Sequence, residues 1–234
     1  LFGIDSPYHD VWIVVPAFNE ASVISDVIAD VRTAFPNVVC VDDGSRDDTG
    51  ERAHRAGAHL VRHPVNLGQG AAIQTGVEYA RARPGAAVFV TFDADGQHRV
   101  KDVIRMIDRL VAERLDIVVG TRFGGSVPAR MPALRRVLFP LIAKLSPASR
   151  KLGLTDAHNG LRVFGRTVAD SLNITMNGMS HASEIISLIV ENHWRVAEEP
   201  VEIIYTDYSM SKGQPLVNGV NIVFDGLLRR RMRR

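Results

Sequence analysis

The stretch VTFDADGQH, residues 90–98, ends a β-branched and aromatic run with two carboxylates two positions apart, then adds glutamine and histidine. Extended backbone sends alternate side chains the same way, so Asp93, Asp95 and Gln97 would share one side. Oxygen ligands of this kind suit Mg²⁺ or Mn²⁺ carried on a diphosphate, because such ions take one or two carboxylates and complete their shell with substrate oxygens. The plainer alternative is an Asp-rich turn that caps the helix opening at Val100.

Similar polar clusters follow other apolar runs. In PAFNE, Pro16 would stop a strand, and Asn19 and Glu20 stand where a helix begins, a place where Asn often caps. In VDDGSRDDT, the adjacent acids Asp42 and Asp43 would repel unless one meets a donor such as a ribose hydroxyl or a base N–H, and capping suits Ser45 or Asp48 better. NLGQGAA, with Gly68 and Gly70, could bring backbone N–H groups close to phosphate oxygens at a helix start. It imitates a dinucleotide fingerprint but follows the third strand, not the first. The histidines 54, 59 and 63 have no spacing that gathers them and read as surface residues, while His98 adjoins the acidic pair.

These clusters need elements to hold them. Nearly continuous apolar runs at 11–16, 38–42, 59–62, 87–93 and 116–121 read as parallel strands covered on both faces. Helical patterns at 21–34, 49–56, 71–83 and 100–113 alternate with them, which predicts a doubly wound, mostly parallel α/β sheet with helices on both faces. Ligands bind such sheets beyond the carboxyl ends of the strands, where every one of these clusters falls. Beyond Thr121, residues 131–152 mix apolar and basic positions at helical spacing but carry Pro132, Pro140 and Pro147. Short broken amphipathic helices at a membrane surface would fit that pattern. NGLRVFG then reads as a strand or turn, SHASEIISLIVENHW as a helix, and RVAEEPVEIIY as one or two strands.

Hydrophobic residues make up 46% and charged residues 23% of the 234, the balance of a soluble globular core. A single domain over 1–234 is expected, with the strand-end clusters in 11–121 and a differently patterned, functional remainder over 122–234. Cys40, the single cysteine, excludes an internal disulfide and reads as a buried small residue. No apolar run reaches the roughly 20 residues of a membrane-spanning helix, and LFGIDSPYHD does not read as a signal peptide. Between Ile117 and Thr155 there is no acid but seven cations, among them Arg122 and Arg136, so that stretch should face something anionic. Five of the last six residues are arginine, a solvated tail or a contact for an anionic membrane.

Taken together, VVPAFNE, VDDGSRDDT, NLGQGAA, FDADGQH and GTRF resemble the nucleotide-sugar-binding half of inverting family 2 glycosyltransferases with the GT-A fold. Within them the chain is most similar to the dolichyl-phosphate mannose and polyprenyl-phosphate glucose synthases. Short stand-alone actinobacterial synthases that place N-acetylgalactosamine on a polyprenyl phosphate have a similar layout. The resemblance implies that Pro16, Glu20 and Asp43 hold base and ribose, that Asp93 lies by ribose and diphosphate, and that Asp95 and Gln97, with Asp93 beside them, ligate Mg²⁺ or Mn²⁺. It further implies that Arg122 and Arg136 grip a lipid phosphate, that Asp156 and Arg162 in TDAHNGLRVF belong to the active site, and that Glu184 faces the acceptor. Ser211 and Lys212 in YSMSKGQP would sit on a loop near the donor phosphates. The partners expected are a nucleotide sugar and a polyprenyl phosphate, with attachment at an anionic, cytoplasmic membrane surface through the broken amphipathic region, the arginine tail or a separate membrane protein; nucleic acid is not among them.

A phosphate acceptor is already anionic and needs positioning more than a base. A sugar hydroxyl would need a general base, for which Asp156 or Glu184 would serve. A sugar nucleotidyltransferase or a nicotinamide dehydrogenase would want a glycine-rich loop after the first strand, where this chain has PAFNE. A non-catalytic nucleotide- or lipid-binding module would keep the basic stretch without needing DADGQ.

Overall fold

The computed structural model describes residues 7–123, 147–156, 159–176 and 180–204. Its strands are β1 (Val11–Ala17), β2 (Asn37–Asp42), β3 (His59–Arg62), β4 (Val88–Thr91), β5 (Ile117–Thr121), β6 (Arg162–Gly165) and β7 (Val196–Pro200). The helices are α1 (Ile24–Arg32), α2 (Thr49–Arg55), α3 (Gln69–Arg81), α4 (Val100–Ala112), α5 (Pro147–Leu152), α6 (Arg166–Ser171) and α7 (Ser180–Glu191). One seven-stranded sheet runs in the order β3-β2-β1-β4-β6-β5-β7. Every pairing is parallel except those of β6, which runs against both β4 and β5. The fold is therefore the doubly wound α/β sheet expected, with one reversed strand set into it.

Alternation along the strands builds two cores from one sheet. Ile13 and Val15 of β1, Val90 of β4 and Val118 of β5 face one cluster with Ile24, Ile28 and Val31 of α1 and Val103 and Met106 of α4. Trp12, Val14, Phe89, Ile117 and Val119 face the other, with Ile73 and Val77 of α3 and Ile185, Ile186 and Ile189 of α7. Strands covered on both sides have no polar face, which is why their sequences read as unbroken apolar runs. Cys40 is buried in the first cluster, where burial and then the charge of Asp42 push its thiol up to about 12.

Helix α3 lies close on β1 at Gly76, where a Cβ would run into the Val14 side chain. Gly76→Ala should therefore destabilise the protein by about 1–3 kcal/mol, overpacking outweighing the gain in helix propensity. Chemical denaturation of the two proteins measures it.

Pro16 does not end β1. The ladder with β2 continues through Pro16↔Val41 to Ala17↔Asp42, whereas the pairing with β4 stops at Val14↔Thr91. At its end β1 has a partner on one side, and a residue without an N–H is tolerated there. Helix α1 starts three residues later than its apolar pattern, because Asn19 takes a left-handed φ of 55° and residues 21–23 form turns.

Candidate active site

Strands β1, β2, β3, β4, β5 and β7 all end at the same edge of the sheet, and the turns beyond them are stitched together. Asp43 N–H donates to Ala17 O at 2.8 Å, Asn19 N–H to Ser45 Oγ at 3.0 Å, Arg46 N–H to Asn19 Oδ1 at 2.9 Å and Glu20 N–H to Thr49 Oγ1 at 2.7 Å. Asn19 thus joins two loops and does not cap α1. Neither does Asp48 cap α2 through its side chain; Thr49 N–H is taken by Asp47 Oδ1 at 3.1 Å.

The adjacent acids avoid repulsion by using different partners. Asp42 accepts from Ser45 N–H at 2.9 Å and Arg62 Nε at 3.1 Å. Asp43 accepts from Leu67 N–H at 2.9 Å and Gly68 N–H at 2.8 Å, and its Oδ1 lies 2.7 Å from Nδ1 of His63. This corrects two readings. His63 is not a surface residue but 7% exposed, bridging Asp43 to Thr75. Of the glycine loop's N–H groups, those of Leu67 and Gly68 hold Asp43 in place of a phosphate, and Gly70 serves packing, since a Cβ there would strike the Met176 carbonyl oxygen. Gly68, at φ 94°, makes the turn into α3.

Asp93 follows β4, its side chain 29% exposed. Gln69 Nε2 donates to its Oδ1 at 3.0 Å, and His98 Nε2 lies 3.1 Å from its Oδ2. Burial pushes its carboxyl up, but the hydrogen bond from His98 and the charges of His98, Arg162 and His181 outweigh this and hold it below the ordinary carboxylate range. Asp95 goes the other way, pushed up to about 6 by burial and then by the charge of Asp93. Its Oδ1 accepts from Gln97 N–H at 3.0 Å, and Glu20 adds further negative potential. Gln97 is held in turn by its carbonyl, which accepts from Ile204 N–H at 2.9 Å.

Past β5, Arg122 is clamped onto Asp156. Its backbone N–H and Nε reach Oδ2 at 3.0 and 2.6 Å, and Nη2 reaches Oδ1 at 2.8 Å. The side chains are 14% and 1% exposed, so this two-pronged pair is largely sheltered from water. Glu198 of β7 holds the loop beneath it, accepting from Thr155 N–H at 2.7 Å, Thr155 Oγ1 at 2.8 Å and Asp156 N–H at 2.9 Å. Glu198→Ala should free this loop and lower the melting midpoint, with Glu198→Gln intermediate; thermal denaturation of the three proteins checks this.

The site residues inferred from sequence fall in two groups along this edge. Glu20, Asp93, Asp95 and Gln97 converge around the ends of β1 and β4, and Arg122 with Asp156 lies past β5. Pro16 stays within the β1 ladder. Glu184 turns away from any acceptor role: its carboxylate accepts from Thr175 N–H, Thr175 Oγ1 and Met176 N–H at 3.0, 2.6 and 2.8 Å. Arg136, Ser211, Lys212, the proline-broken basic stretch up to residue 146 and the arginine tail lie outside the described residues. His63, Gln69, His181 and Glu198 were missed because single polar residues with no spacing leave no signal in sequence. Among the described residues no group of three or more His, Cys, Asp or Glu is gathered as a metal cage, and a divalent ion carried on a diphosphate takes one or two carboxylates and completes its shell with substrate oxygens. The donor set fits such an ion: Asp95, pushed up by burial and then by the charge of Asp93, is the group a divalent cation would relieve.

Residues 12–172 match the Glycosyl transferase family 2 domain. The chain belongs to glycosyltransferase family 2. It is an enzyme of the glycosyl-transferring class. A relative of unassigned function from Methanocaldococcus jannaschii is 33% identical over 220 residues, covering 92% of this chain and 90% of that protein. The UDP-N-acetylglucosamine–dolichyl-phosphate N-acetylglucosaminyltransferase of Methanococcus voltae is 27% identical, over 92% of this chain and 93% of its own. The polyprenol monophosphomannose synthase of Mycolicibacterium smegmatis is also 27% identical, over 92% and 84%. Among solved structures, glucosyl-3-phosphoglycerate synthase of Mycobacterium tuberculosis, crystallised with Mn²⁺, UDP and phosphoglyceric acid, superposes with a TM-score of 0.70 at 20% identity, over 92% of this chain and 74% of that one. At that identity the likeness concerns the fold.

Proposed function

We propose that this glycosyltransferase moves a hexosyl group, with inversion, from a UDP- or GDP-linked sugar to a polyprenyl phosphate at the cytoplasmic face of the membrane. The observation that carries the acceptor choice is the commitment of two carboxylates. Asp156 is locked to Arg122 and Glu184 to Thr175 and Met176, so neither is placed to take a proton from a sugar hydroxyl. A phosphate monoester needs no such base, only a cation held in place, as Asp156 holds Arg122. The relatives named for dolichyl- and polyprenol-phosphate glycosylation support the same acceptor class.

In this reading Glu20 and Asp43 line the base and ribose end, with Pro16 beneath them in β1. Asp93 stands by the ribose and diphosphate, and Gly68 and Gly70 let α3 approach. Asp95 and Gln97 hold the ion, with Asp93 as the second carboxylate. When bound, Mg²⁺ or Mn²⁺ neutralises charge gathering on the departing diphosphate. Arg122, with Arg136 and Lys212 from the rest of the chain, positions the attacking phosphate and the leaving group. Asp156 keeps the Arg122 fork in a single orientation, so acceptor binding loses less side-chain freedom. No described helix is long and apolar enough to cross a membrane.

A screen of UDP- and GDP-sugars against a short polyprenyl phosphate, with Mg²⁺ or with EDTA, tests the reading. One donor should yield a metal-dependent, lipid-linked sugar phosphate; absence of lipid product from every donor would overturn it.

A further inference from the structure

Strand β6 lies antiparallel between β4 and β5, and its first residue, Arg162, is paired with Thr91 on one side and Val119 on the other. Strand β4 leads to Asp93 and β5 to Arg122, so Arg162 stands between the strand ends that carry the two halves of the site. It is 1% exposed, the largest fully buried side chain among the described residues. Buried guanidinium groups ordinarily hold a carboxylate or several carbonyls. Here Nε, Nη1 and Nη2 have no hydrogen-bond partner among the described residues. Asp93 and Asp156 are the carboxylates whose charges act on Arg162. Neither is in ion-pair contact with it, and their oxygens are engaged by Gln69 and His98 in one case and Arg122 in the other. A buried cation with no such contact acts through its field, which carries further in the protein than in water.

We propose that Arg162 is a positioning residue, a buried fixed charge that balances Asp93 and Asp156 together and so holds the donor and acceptor halves at one spacing. The inference rests on the sugar-transfer reading above and adds how its two halves are kept in register. Asp156 has Arg122 in direct contact and Asp93 has His98, while Arg162 is the cation both carboxylates share. Without Arg162, two carboxylates face one arginine that is already committed to Asp156. Asp93 then loses one of the cations that hold it, keeping His98 and His181, and its partly exposed side chain can turn toward water and away from Gln69 and His98. Burial pushes the Arg162 guanidinium down to about 10, still far above neutrality, so the charge is permanent under working conditions.

Lysine and methionine separate charge from shape, because lysine supplies the cation without the planar fork and methionine fills the space without the cation. Arg162→Lys should keep kcat within about tenfold of the parent, whereas Arg162→Met and Arg162→Gln should fold, yet lose about 10²–10³-fold in kcat and bind UDP in Mn²⁺ more weakly. Near-UV circular dichroism and a urea midpoint report folding, and calorimetry reports UDP affinity. A neutral variant with the parent's kcat would overturn the proposal, as would a lysine variant as impaired as the methionine one, or neutral variants that fail to fold. If the parent enzyme transfers no sugar to a polyprenyl phosphate, the functional reading fails by itself. UDP affinity preserved in the lysine variant and lost in the neutral ones would still identify the charge as the acting feature.

Discussion

Asp95→Asn is expected to abolish useful sugar transfer, lowering kcat/KM by about 10²–10³-fold, while making the protein more stable at pH 7.5. The two effects share a cause. Asp95 is pushed up to about 6 by burial and by Asp93, so in the free enzyme its ionisation is opposed by the fold. A carboxyl whose folded value lies above its unfolded value contributes stability fully present below the unfolded value, near 3.8, and lost as pH rises through about 6. At pH 7.5 the parent carries that unfavourable charge and the asparagine variant does not. The thermal midpoint of Asp95→Asn should therefore exceed the parent's above pH 6, and the gap should close as pH falls toward 4. Mn²⁺ with UDP should raise the parent's midpoint strongly at pH 7.5, weakly below pH 6 as protons compete for Asp95, and hardly at all in the variant. Scanning calorimetry over pH, with and without Mn²⁺, reads all three. A variant less stable than the parent at every pH would place Asp95 among the structural residues.

The second large effect is expected at Asp156. Replacing it with alanine leaves Arg122 without its carboxylate and Arg162 with one balancing acid in place of two. Losing one member of a buried ion pair costs about 3–5 kcal/mol, because the charge left behind stays desolvated. For a domain of this size that lowers the melting temperature by roughly 10 °C. Well below that midpoint the folded variant should still bind UDP in Mn²⁺ but use the lipid phosphate poorly, since Arg122 loses both prongs that orient it. Thermal melts and kinetics with each substrate varied separate the parts; loss of nucleotide affinity equal to the loss of acceptor use would contradict the division of the site.

The sheet was legible in the sequence because parallel strands buried on both faces are written as apolar runs, as in VWIVVP and VVCVD. Its edge was legible because polar clusters recur where those runs stop. What stayed hidden depends on tertiary placement. Nothing in NGLRVFG says that it enters the sheet reversed between β4 and β5, because insertion order is fixed by packing and not by periodicity. Pro16 suggested a strand end, and a missing neighbour on one side of β1 overrode it. The loop NLGQGAA has the composition of a phosphate cradle, but Asp43, brought alongside by β2, takes its N–H groups first. His63 and Glu198 became visible once the strand ends were side by side, because each acts through a partner 20 or more positions away.

In the proposed reaction one strand edge holds a metal-bound nucleotide sugar against a lipid phosphate that needs no general base. Its most direct measurement offers the enzyme a labelled donor with a short polyprenyl phosphate or the matching dephosphorylated polyprenol, and determines the anomeric configuration of the product by NMR. The expected result is transfer to the phosphate alone, with the configuration at the anomeric carbon inverted. Equal transfer to the alcohol, or a product of retained configuration, would contradict it.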